Sequence, residues 1–152
     1  MLRKARIGDV KAIHKMINFS ADRGEMLPRS LMDIYGNLRD FFVYYKEDGE
    51  TVVGVCAMSI IWENLAEIRS LYVCEGHRGQ GVARHLIKAC LSEAASLDLL
   101  RVFTLTSQLG LFAHLGFHEV GRSSLSEKIW LDCFRCSKYP DYCDETAMII
   151  EL

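Results

Sequence analysis

The residues with the clearest chemical purpose are Gly76-His77-Arg78-Gly79-Gln80-Gly81, followed directly by Val82-Ala83. Glycines let a backbone approach a ligand closely. A helix starting at Val82 would add unpaired N–H groups and about half a positive charge at its N-terminus. Arg78 contributes a full charge and a forked set of donors. This combination suits a pyrophosphate, with a ligand-free turn as the alternative. A Walker A loop is excluded because no Gly-Lys-Ser/Thr follows. The dinucleotide fingerprint is excluded because Gly79 and Gly81 are followed by Arg84 where a third glycine is needed.

A second group is Cys133-x2-Cys136-x6-Cys143. Thiolates at this spacing can hold zinc, with Asp132, Asp141, Asp144 or a distant histidine as fourth ligand. Reduced cysteines packed in an irregular loop, or an adventitious disulfide, explain the same residues, and zinc is the less favoured reading. Cys56, Cys74 and Cys90 fall on strand or helix patterns and read as small core residues. His77 flanks the glycine loop and is expected in solvent, while the other histidines lack metal-ligand spacing. No Ser-His-Asp or Cys-His arrangement stands out.

The elements that must position these groups follow from periodicity. Leu2 to Ile7 alternates as a strand. Asp9 can cap a helix carrying Val10, Ile13, Met16 and Ile17 on one face. Ser30 can cap a second, short helix with Leu31, Ile34, Tyr35 and Leu38 on one face, after an extended Met26 to Arg29. Strands at Phe41–Tyr45, Val52–Ile61 and Ala66–Val73 form an antiparallel meander, with turns at Glu47–Glu50 and near Asn64. The glycine loop opens a long helix bearing Val82, Ala83, Leu86, Ile87, Cys90, Leu91, Ala94 and Leu97. A short buried strand at Arg101–Leu105, a helix at Leu109–Leu115 stopped by Gly116, a strand from Phe117 and a last strand at Ala147–Leu152 complete the pattern. The class is α/β or α+β with a mixed sheet.

Arg78-Gly79-Gln80-Gly81-Val82-Ala83 resembles the Arg/Gln-x-x-Gly-x-Gly/Ala signature of the GNAT N-acetyltransferase superfamily. Leu71-Tyr72-Val73 is similar to the strand before it, and Leu111-Phe112-Ala113-His114-Leu115-Gly116-Phe117 to a second motif ending in Gly-Phe. The resemblance spans essentially the whole chain. It implies the GNAT fold, a mixed, mostly antiparallel sheet flanked by helices. It also implies acetyl-CoA as co-substrate, with its pyrophosphate on the loop amides and its pantetheine arm beside the preceding strand. Leu71, Tyr72, Val73, Arg78, Gly79, Gln80, Gly81, Val82 and Ala83 are the corresponding cofactor-binding residues.

Leu27-Pro28-Arg29-Ser30, the run from Trp62 to Leu71, Arg101 to Thr106, and Ser124 to Lys128 are similar to the acetyltransferase domain of N-acetylglutamate synthases. That family makes the first intermediate of bacterial arginine synthesis. The resemblance implies transfer to the α-amine of an amino acid, with glutamate the first choice, in a short, stand-alone form. Glu67 matches the family's proposed base, with a solvent-facing strand carboxylate as the alternative and Glu63 as a weaker candidate. Phe112 stands where many members carry a tyrosine acid, so that acid is excluded. Thr106, or Ser107 beside it, could instead donate a hydrogen bond to the leaving thiolate. Tyr72 is a further phenol, with packing as its alternative. Arg29 matches a substrate-binding arginine and Lys128 falls in a segment matching another basic contact. Arg69, next but one to Glu67, points to the same strand face and could bind substrate or pair with Glu67. Another amine acceptor, a protein N-terminus, or a non-catalytic acyl-CoA- or metal-binding module remain alternatives.

At 152 residues the chain is the size of one domain, residues 1–152. A net charge of −2 disfavours general nucleic-acid binding, which needs excess Lys and Arg. No run approaches the length of a membrane span and no secretory leader is visible, so a cytoplasmic protein without membrane or nucleic-acid partners is expected. A homodimer stays open.

Overall fold

A computed structural model describes residues 1–125 and 145–152. Its strands are β1 (Leu2–Lys4), β2 (Phe41–Tyr45), β3 (Val52–Trp62), β4 (Leu65–Val73), β5 (Arg101–Thr106), β6 (His118–Glu119) and β7 (Thr146–Glu151). The helices are α1 (Val10–Asp22), α2 (Leu31–Gly36), α3 (Val82–Ser96) and α4 (Leu109–His114). Hydrogen-bonded neighbours give one seven-stranded sheet in the order β1-β2-β3-β4-β5-β7-β6. β4 pairs with β5 in parallel, and the β1–β2, β2–β3, β5–β7 and β6–β7 pairs are antiparallel. The mixed sheet is the one expected from the residue pattern, and its mostly antiparallel, helix-flanked form is the one the resemblance implies.

The chain forms two compact units. The first comprises Met1–Met58 and Ile68–Glu93. Strand alternation divides its interior. Val55 and Ala57 of β3 join Val10, Ile13 and Ile17 of α1, Ile34 of α2, and Phe41, Val43 and Tyr72 in one cluster. Gly54 and Cys56, on the alternate positions, face α3. The Cys56 and Cys90 sulfurs lie 3.7 Å apart, and a Cβ on Gly54 would come within 2.9 Å of Val82 and 3.2 Å of Leu86. Gly54 therefore lets α3 lie directly on the strand.

The second unit comprises Ser59–Glu67 and Ala94–Leu152. Leu65, Phe103, Leu125, Ala147 and Ile149 form its buried cluster. α4 ends through Gly116 at φ 102°, and Phe117 N–H returns to the Phe112 carbonyl at 3.1 Å. Phe112 is buried with its ring edge-on to Phe117, 5.1 Å between centroids.

Three local expectations are corrected. β1 stops at Lys4 rather than Ile7, because the Arg6 amide donates to Asp9 Oδ2 at 2.8 Å and the chain turns out of the sheet. The Asp9 carboxylate consequently does not cap α1. It takes the Arg3 guanidinium as well, at 2.6 and 3.1 Å. Leu97 is exposed. α3 ends at Ser96, the amides of both Leu97 and Leu99 return to the Ala94 carbonyl, and Leu99 is the buried residue.

Candidate active site

β4 feeds the glycine loop through a tight 3-10 turn, Glu75–His77. Gly79 and Gly81 then adopt φ of 77° and 81°. An L-residue in this left-handed region costs roughly 1–2 kcal/mol. A Cβ on Gly79 would meet nothing within 4 Å, so backbone conformation rather than crowding calls for glycine there. The first helical bond of α3 runs from His85 N–H to the Gly81 carbonyl, 3.1 Å. The amides of Val82, Ala83 and Arg84 precede it and have no acceptor within the helix. His85 Nδ1 donates to the same carbonyl at 2.8 Å. The loop thus leaves N–H groups without helical acceptors beside a positive helix end, an arrangement that suits an anion.

Arg78 braces this loop as well as charging it. Its Nε donates to the Val73 carbonyl at 2.8 Å, and its guanidinium lies 5.5 Å from the centre of the Tyr72 ring. Tyr72 in turn meets Phe19 edge-on at 6.4 Å. Arg23 sits over Phe19 and pairs with Glu75 at 3.3 Å, tying the end of α1 to the loop. Leu71 is half-buried, Val73 buried and Gln80 exposed. His77, expected in solvent, is half-buried, and its Nδ1 is shielded with no partner among the described residues.

Arg29 is held from several sides. The Asn18 side chain donates to its carbonyl at 2.8 Å and accepts from its amide at 3.3 Å. Its Nε donates to Asp33 Oδ2 at 2.7 Å, its guanidinium lies 4.8 Å from the Phe41 ring centre, and Nη1 reaches Ser70 Oγ at 3.5 Å. Its side chain is only 4% exposed. Ser30 caps α2 as expected, accepting the Asp33 amide at 3.0 Å. The Asp33 carboxyl is held below the usual range, first by the Arg29 hydrogen bond, and also by the Arg29 charge, Asn37 and the charge of half-buried Arg69. Ser70 itself has φ 56°, a left-handed residue inside β4. Such strain costs about 1–3 kcal/mol and clusters at functional sites.

Glu67 is 3% exposed, which overturns the alternative of a solvent-facing strand carboxylate. It pairs in register with Phe103 in the parallel β4–β5 ladder, and the β5–β7 ladder runs on to Thr106↔Thr146. Thr106 is buried, and its Oγ1 accepts the Gln108 amide at 2.9 Å. Its hydroxyl proton is thereby left to donate elsewhere. Phe112, in the aromatic core, supplies no acid.

A model of the acetyltransferase (GNAT) family matches residues 11–121. The chain belongs to that family. An uncharacterized N-acetyltransferase of Chlorobaculum tepidum is 38% identical over 149 residues, 97% of this chain and 94% of that protein. An amino-acid acetyltransferase of Mycobacterium tuberculosis is 31% identical over 132 residues, 86% of this chain and 75% of that one. A crystal structure of a Mycobacterium tuberculosis protein in complex with CoA superposes with a TM-score of 0.87 at 27% identity, covering 100% of this chain and 99% of the other. The GNAT fold and acetyltransferase chemistry read from the two motifs are thus established.

Lys128, Cys133, Cys136 and Cys143 lie outside the described residues. Among the described residues no group of three or more His, Cys, Asp or Glu could hold a metal. No helix among them is long and apolar enough to cross a membrane. Asn18, Asp33 and Ser70 escaped the sequence reading. The Arg29–Asp33 pair had only a weak signal, opposite charges four positions apart, because Arg29 precedes the Ser30 cap and lies outside α2. Asn18 and Ser70 had none, because their roles come from tertiary placement.

Proposed function

We propose that this GNAT protein transfers the acetyl group of acetyl-CoA to the α-amine of a free amino acid, with glutamate as the acceptor. The carrying observation is the buried Arg29 guanidinium, fixed at Nε by Asp33. A fixed guanidinium binds a carboxylate through two parallel hydrogen bonds. The 31% identical amino-acid acetyltransferase supports the same acceptor class. Arg69 and Lys128 are the candidates for a second acceptor carboxylate.

In this reading the glycine-loop amides of Gly79 to Ala83 hold the donor's pyrophosphate. An amino-acid amine is mostly protonated near neutral pH and cannot attack until it loses a proton. Glu67 accepts that proton, directly or through one water. The freed lone pair attacks the thioester carbonyl carbon. The tetrahedral intermediate then breaks its C–S bond and expels CoA, whose developing thiolate accepts a hydrogen bond from Thr106 and takes up the second proton that the nitrogen loses. Glutamate acetylation would place the protein at the start of arginine synthesis.

Thiol release from acetyl-CoA over a panel of free amino acids, a polyamine and a peptide N-terminus tests the proposal. The highest kcat/KM is expected with glutamate. Preference for the polyamine or peptide overturns the acceptor. Acetyl-CoA binding with no thiol release on any amine points instead to a non-catalytic module.

A further inference from the structure

Asp33 has both carboxylate oxygens engaged. Oδ2 accepts Arg29 Nε at 2.7 Å, and Oδ1 accepts Asn37 Nδ2 at 2.8 Å. The Asn37 amide is itself anchored, donating to the Asp33 carbonyl at 2.9 Å. Of the five guanidinium N–H donors of Arg29, Asp33 therefore takes the one on Nε. Phe41 covers one face of the guanidinium, and Asn18 pins the backbone behind it. The Nη edge is the part left for a further acceptor, with one long contact to Ser70 Oγ at 3.5 Å. A 3.5 Å contact is weak and easily exchanged for a charged partner.

We infer that Asp33 is a positioning residue for the acceptor site: it holds Arg29 by Nε so that the Nη edge is presented to a substrate carboxylate. The inference rests on the amino-acid acceptor proposed above. It makes a prediction opposite in sign to simple electrostatics. Asp33 is an anion beside an anion-binding group, so charge alone says that removing it should tighten carboxylate binding. Positioning says that removing it frees the guanidinium to reorient and weakens binding.

Two substitutions remove the same charge and separate these effects. Asp33→Asn keeps an oxygen that can accept Arg29 Nε, whereas Asp33→Ala keeps none. Neither touches the Asp33 amide that caps on Ser30, so α2 retains its N-cap. Glutamate KM is expected to rise about tenfold in Asp33→Ala, equivalent to about 1.4 kcal/mol, and less in Asp33→Asn. The kcat and the acetyl-CoA KM should change little, while the melting temperature should fall in Asp33→Ala, because Arg29 is left buried with its Nε unpaired. A glutamate KM that is unchanged, lowered, or raised equally by both substitutions overturns the inference.

Thermal melting with glutarate, a dicarboxylate without an amine, reads the anion site apart from turnover. Glutarate should raise the melting temperature of the wild type and lose most of that effect in Asp33→Ala. An equal shift in both proteins, or none in the wild type, overturns the inference. If the shift is lost as expected while the wild type acetylates a different amino acid, the glutamate assignment fails and the role of Asp33 stands.

Discussion

Glu67 is a carboxylate that water scarcely reaches, on a strand whose neighbours Leu65, Ala66 and Ile68 are fully buried apolar residues. Keeping an ionisable group there is costly unless it is hydrogen-bonded or paired. The proposed use is acceptance of the ammonium proton. Glu67→Gln preserves shape and hydrogen-bonding capacity but removes the base. Turnover should fall by about 10²–10⁴-fold with acetyl-CoA KM little changed. Initial rates near neutral pH check this, and wild-type turnover in the variant would remove Glu67 as base. At this scale legibility is uneven. The loop glycines were readable because their role is local: Gly79 and Gly81 are set by their own φ. The place of Thr106 at the end of β5 was readable by resemblance. The supports of Arg29 were not, because Asn18, Phe41 and Ser70 reach it across 11, 12 and 41 positions of sequence.

Elements were legible where their pattern is long enough to average. α1 and α3 bury most of the apolar positions their periodicity marks, apart from half-buried Ala83 and Leu91 and exposed Leu97 in or after α3. α2 has only six residues, less than two turns, and its predicted apolar face does not close. Ile34 is buried, but Leu31 and Tyr35 are exposed. The entry to α1 shows a tertiary contact overriding a local motif. Asp9 joins Arg3 and the Arg6 amide, locking β1 to the start of α1. Burial pushes the Asp9 carboxyl up, but hydrogen bonds from Arg3 and Arg6 and their charges outweigh it, and the net direction is down. A carboxyl lowered by folding contributes stability above its unfolded pKa of about 3.9 and loses it as pH falls through the folded value. The wild type should therefore lose melting temperature steeply below about pH 4. In Asp9→Asn that acid limb should flatten, with about 1–3 kcal/mol lost at neutral pH. Parallel acid limbs in the two proteins would refute the assignment.

Over the whole chain, the order of strands and helices carried the family, because a strand, a glycine loop and a helix must follow one another to make the anion site. The residues also bear on the kinetic mechanism. An acyl-enzyme route would need a nucleophile that donor and solvent can reach as a thiolate. Cys56 and Cys90 are fully buried against each other, and the Cys90 contact, with burial second, pushes the Cys56 thiol well above the usual range. Cys74 is half-buried with its sulfur 3.8 Å from that of Met16. None of these described cysteines is suited to carry an acetyl group. Transfer should therefore run directly from acetyl-CoA to the amine while both are bound. Double-reciprocal plots at several acetyl-CoA concentrations should intersect, and no radiolabel should stay on protein incubated with labelled acetyl-CoA alone. Parallel lines with stoichiometric labelling would establish a covalent intermediate and overturn direct attack, moving Glu67 from amine deprotonation to activation of that nucleophile.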